Sequence, residues 1–113
     1  MKIVDKISIS ELQEMALKMF GTLVKADVDI YKKIVIIDME MHVDGEQTLL
    51  EAGSKQADVW GINLKPDFYG TEEFIEYDSM INIRPRQNNP SRNVLDEKIR
   101  MQIKELIGEV VYE

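Results

Sequence analysis

The sequence predicts an α+β domain: a four-stranded antiparallel sheet with an N-terminal and a C-terminal helix packed on one face. Two segments of helical period bracket the chain. Between them the apolar residues alternate with period two. The joins between alternating segments are short, which favours antiparallel neighbours. The 113 residues are read as one domain, 1–113.

The first helix is expected from about Ile9 to Phe20. Ser8 and Glu11 fit a capping box, and Ile7 and Leu12 a hydrophobic staple. Leu12, Met15, Ala16, Met19 and Phe20 form one apolar stripe, and Gly21 is a natural stop. Val24, Ala26, Val28 and Ile30 then alternate with Lys25, Asp27 and Asp29, as in a half-buried strand. Tyr31-Lys32-Lys33 joins it to IVIIDMEMHVD, read as a second strand with Asp38, Glu40, His42 and Asp44 on its polar face. GEQTLLEAGS breaks the alternation and suits a short helical turn ending at Gly53. ADVWGINL reads as a third strand closed by Pro66. EEFIEYDSMINIRP reads as a fourth that bends near Asp78-Ser79. QNNPSRN is a loop, and Asp96 to about Gly108 is the final helix, with Ile99, Ile103, Leu106, Ile107 and Val110 on one stripe.

Composition limits the functions. The chain is 44% hydrophobic and 31% charged, an ordinary soluble composition. No apolar run approaches the roughly 20 residues of a membrane span, and the N-terminus lacks a secretory h-region; a cytoplasmic location is the default. The absence of cysteine excludes disulfides and thiol chemistry. A net charge of −7 opposes broad, nonspecific nucleic-acid binding and adhesion to anionic membranes.

Two polar constellations stand out. Strand alternation would put Asp38, Glu40, His42 and Asp44 on one face, an oxygen-rich set suited to magnesium or manganese; a solvated strand face gives the same pattern. No organic cofactor is predicted, and a divalent metal is allowed. The second lies in INIRPRQNNPSR. Arg84, Arg86 and Arg92 are three of the four arginines, accompanied by Asn82, Gln87 and Asn88. A guanidinium fork suits a carboxylate or a phosphate, so these residues pair either with the chain's own acids or with an anionic ligand or partner. Trp60 is expected in the core, stacked on an arginine, or at an interface. Gly61 is expected to permit a bulge or a close backbone approach.

The stretches HVDGEQTLLEAGSKQADVWGINLKPD (42–67) and INIRPRQNNPSR (81–92) resemble the signature of a small prokaryotic family catalogued as a domain of unknown function. The resemblance runs over nearly the whole chain. It implies a stand-alone small domain and transfers no catalytic residue. No phosphate-binding glycine loop, nucleophile elbow or zinc-protease motif occurs. Two readings therefore stand. One is a binding or interaction domain, acting as a homodimer or with a protein partner and carrying an anion-binding Arg/Asn face. The alternative is a divalent-metal-dependent hydrolase or phosphoryl-transfer enzyme using Asp38, Glu40, His42 and Asp44 with Arg84 and Arg86.

Overall fold

Ser8 Oγ accepts the backbone N–H of Glu11 at 3.1 Å and so starts the first helix, as the capping residues predict. The computed structural model describes residues 1–113. In chain order the elements are β1 (Lys2–Val4), β2 (Ile7–Ser8), α1 (Ile9–Lys18), β3 (Val24–Asp29), β4 (Ile34–Ile37), α2 (His42–Glu51), β5 (Val59–Leu64), β6 (Ile75–Glu76), α3 (Glu97–Val110) and β7 (Val111–Tyr112). A five-stranded antiparallel sheet runs in the order β1-β4-β3-β5-β6, and β2 pairs with β7 in parallel. No helix is long and apolar enough to cross a membrane.

The hairpin between β3 and β4 is fixed by its own polar residues. Asp29 Oδ1 accepts the N–H groups of Tyr31 and Lys32, both at 2.9 Å, and Lys33 closes the turn in the left-handed region. One sheet face carries Val24, Ala26, Val28, Val35, Ile37, Trp60, Ile62 and Leu64. It packs on Leu12 and Ala16 of α1 and on Ile103, Leu106, Ile107 and Val110 of α3. The α1 stripe is shorter than expected: the helix ends at Lys18, and Met19 and Phe20 are exposed.

The opposite face departs from the sequence prediction. It is covered by a third helix, so the two predicted helices do not leave it to solvent. β4 ends at Ile37, Asp38 turns the chain with φ +69°, and residues 42–51 coil as α2. His42, Gly45, Glu46 and Leu49 form the buried stripe of α2, at i, i+3, i+4 and i+7. Leu49 joins Ile36, Met39 and Val59 in a small second core. The predicted long fourth strand is also corrected. Only Ile75 and Glu76 pair with β5, and residues 80–82 and 85–87 form single 3₁₀ turns.

Gly45 lets α2 approach the sheet. A Cβ there would lie 2.3 Å from Asp27 Oδ2 and 2.8 Å from Met39 Cε. Helix propensity alone favours alanine over glycine by about 1 kcal/mol. Gly45→Ala is nevertheless expected to destabilise the fold by about 1–3 kcal/mol, because the overpacked helix must shift. Gly108→Ala in α3, where the added Cβ meets nothing within 4 Å, should be neutral or stabilising. Urea unfolding of the two variants checks this. A Gly45→Ala protein as stable as the wild type would contradict the close approach.

Candidate functional site

The arginine–asparagine segment is bound to its own fold. In an antiparallel strand, alternate residues turn their N–H and C=O to opposite neighbours. On β5, residues 59, 61 and 63 face away from β3, and β6 is too short to meet all of them. Asn82 completes the edge. Its Oδ1 accepts Gly61 N–H and its Nδ2 donates to Gly61 O, both at 2.9 Å. Arg84 continues it: Nη2 donates to Val59 O, Nη1 to Gln56 O and to Gln87 Oε1, and Nε to Ile81 O at 3.0 Å. Gln87 Nε2 donates to Ala57 O at 3.3 Å. The guanidinium lies 4.4 Å over the Trp60 ring, the stacking foreseen for that residue, and Trp60 is buried in the core.

Asn89 holds the loop itself. Its side chain donates to the carbonyls of Asn82, Ser91 and Asn93 and accepts from Leu95 N–H. Gly61 admits the close approach anticipated for it, since a Cβ there would stand 2.7 Å from Ser79 Cβ and Oγ. The remaining arginines divide. Arg92 Nε bonds Asp78 Oδ1 at 2.6 Å, and Arg100 donates to Val94 O and Asn93 Oδ1 while lying over Tyr77. Arg86 and Asn88 are exposed, with Asn88 in the left-handed region. The expectation that Arg84 and Arg86 share one polar strand face fails, because the chain turns at both Met80 and Pro85. Arg84 makes no salt bridge.

Beneath α2 lies a layer of buried polar side chains that sequence reading placed on an open strand face. Asp27 is fully buried, and neither carboxyl oxygen makes a hydrogen bond. Burial, reinforced by the Glu46 carboxylate, pushes its pKa up to about 9; the Glu46 backbone amide and Arg84 offset only part of this. Asp27 is therefore a neutral acid at pH 7. Asp29 instead accepts from Ser54 Oγ and caps the hairpin. His42 Nε2 lies 2.8 Å from Ile62 O, so that nitrogen carries the proton, and burial lowers the ring's pKa.

The proposed metal set is divided by the same turn. Asp38, Glu40 and Asp44 line one concavity of about 540 Å³, whereas His42 turns inward to β5. No group of three or more acid or histidine side chains has metal-holding geometry. The concavity also contains Met1, Met19, Met39 and Glu51, and no basic residue lines it. The chain's salt bridges, Lys65–Glu76 and Arg92–Asp78, leave these four carboxylates without ion-pair partners. A larger groove of about 680 Å³ lies between β6 and α3, where Tyr69, Phe74 and Tyr77 meet Arg100, Met101 and Lys104.

Asp27 gives stability a pH dependence of definite sign. Below 3.8, the ordinary value, both folded and unfolded chains hold the proton. Between 3.8 and about 9 only the folded chain keeps it, so this contribution is lost as pH rises. The slope is at most about 1.4 kcal/mol per pH unit. Asp27→Asn should remove it: the variant's melting temperature relative to wild type should climb steadily from pH 5 to pH 8.5. A difference independent of pH would contradict a protonated Asp27.

Comparison with known proteins bears on identity at the level of the whole chain. No curated protein and no solved structure matches it. Residues 1–110 match the family model described as "Protein of unknown function (DUF5674)". With that match spanning nearly its full length, the chain belongs to the DUF5674 family.

Proposed function

We propose that this chain is a cytoplasmic, non-catalytic binding domain whose partner is a protein segment combining basic and apolar side chains. The observation that carries this reading is the concavity beside α2. Asp38, Glu40, Asp44 and Glu51 surround Met1, Met19 and Met39, and no lysine or arginine side chain lines the site. Methionines adapt to varied apolar shapes, and unpaired carboxylates select lysine or arginine, so together they recognise a cationic segment with an apolar anchor. Met41 and Val43, on the chain between these acids, are also exposed. The net charge of −7 supports attraction of a basic partner and disfavours nucleic acid.

The anion-binding reading of the Arg/Asn segment retains Arg86, which is exposed; Arg84 has its donors occupied within the fold. The hydrolase reading draws on Asp38, Glu40 and Asp44, which share the concavity, and one titration separates it from the partner reading.

Isotope-labelled protein titrated with a short lysine–leucine peptide should shift amides of residues 38–51, with affinity falling as salt is added. Glu40→Lys combined with Asp44→Lys should weaken binding about tenfold or more, as expected for two lost charge contacts. Magnesium should leave these amides unmoved. Tight, saturable magnesium binding with no response to the peptide would overturn the partner reading and favour the metal-dependent enzyme.

A further inference from the structure

The concavity adjoins an unpaired sheet edge. β1 is the outermost strand, with β4 on one side and no strand on the other. Its bonding pattern follows from that of β4. Asp38 N–H donates to Lys25 O, so within β4 the backbone of Ile36 faces β3 while that of Val35 and Ile37 faces β1. Val35 and Ile37 stand opposite Val4 and Lys2. The N–H and C=O of Ile3 therefore point outward, to the free edge. The Ile3 side chain is opposite Ile36, which puts it on the α2 side of the sheet, and it is 54% exposed. Met1, just before β1, is in the wall of the concavity.

Resting on the reading above, we infer that the partner segment binds as an added strand, hydrogen-bonded to β1 at Ile3: an extended stretch whose alternate residues are basic, so that its α2-side face offers charged heads to the acids and aliphatic stems to Met1 and Ile3. Strand addition obtains affinity from backbone bonds and selectivity from alternate side chains. Side chains on the α2 side of such a strand fall beside Ile3, Met1 and the four carboxylates. A spacing of about 7 Å between same-face residues lets consecutive basic groups meet successive acids.

A second copy of this chain is the poorer occupant. Pairing β1 with its own copy brings together two chains of net charge −7, and strand alternation puts the copy's Lys2 on the sheet face opposite the concavity. The short edge, with Lys2 exposed beside it, also resists indiscriminate pairing.

The test titrates the labelled protein with the peptide KVKVKVK, its acidic counterpart EVEVEVE, and a helix-forming alanine–lysine peptide, reading amide hydrogen exchange. KVKVKVK is expected to slow exchange at Ile3 about tenfold or more, while EVEVEVE has no effect. N-methylating alternate residues of KVKVKVK in the register that faces β1 should weaken binding by a similar factor. Ile3→Pro, which removes the outward donor and leaves the β4 ladder intact, should do the same. If Ile3→Pro does not fold, the methylated peptide gives the answer alone. Binding with unchanged Ile3 exchange, or preference for the helical peptide, would overturn strand addition and leave the cationic-partner reading standing. Failure of both cationic peptides to bind would overturn both. Protection of Ile3 that grows with protein concentration without peptide would identify a second copy as the occupant, and overturn the proposal.

Discussion

The outer edge of β5 is the constraint on which much of this structure depends. β5 is the only strand whose residues all lie buried, between β3 and a β6 of two residues. A buried N–H or C=O without a partner costs about 1–3 kcal/mol, so the positions that β6 does not reach must be satisfied by something else. Side chains do this work: Asn82 presents an amide to Gly61 with the geometry of a neighbouring strand, and Arg84 takes the carbonyls of Val59 and Gln56. The loop that carries them is in turn tied by Asn89. An irregular segment can thus lie against the sheet without leaving its own backbone or that of β5 unpaired.

The other side of the sheet depends on charge balance. Arg84 is buried and permanently cationic, with no carboxylate in salt-bridge contact. Burial lowers the pKa of its guanidinium, and the nearby Glu46 carboxyl group opposes that shift. Were Glu46 and Asp27 both ionised, they would repel each other in a layer with little water. A protonated Asp27 removes that repulsion. Gly45 then lets α2 lie directly over the neutral acid, which an ionised group would resist through the cost of burying an unpaired charge. The layer is therefore part of what positions α2, and α2 is the wall of the acidic concavity.

Much of the framework was legible because its signals are local and apolar. The Ser8 cap, the stripe of α3 and the β3–β4 hairpin follow from periodicity and capping chemistry, whereas Trp60 was left open between core, arginine stack and interface. α2 was only partly visible, its residues from Gly45 onward read as a short helical turn ending at Gly53, and the rest was hidden for a physical reason. Its buried stripe contains His42, Gly45 and Glu46, which carry no hydrophobic period, while Asp38 to Asp44 continue the alternation of β4 by chance. The left-handed Asp38 that separates them has no unique sequence signal, although aspartate tolerates that conformation better than most residues. Missing the first turn of α2 and its packing over the sheet made Asp27 look solvated and made His42 look like a ligand. The role of Asn82 was equally hidden: a side chain acting as a strand neighbour requires knowing that β6 is short. Gly61, singled out for close approach, marks where Ser79 of the same segment meets the strand.

The two polar constellations thus separate into an internal scaffold and an outward acidic end. That division rests on the Arg/Asn segment serving its own strand, and the Gly61 amide reports on it directly. Hydrogen exchange of this amide should be as slow as that of Trp60 and Ile62 in the wild type, and should accelerate selectively in Asn82→Ala while Ile62, bonded toward β3, stays protected. Free exchange at Gly61 in the wild type, or none of this acceleration in the variant, would contradict the scaffold role and return Asn82 and Arg84 to the list of groups open to a ligand.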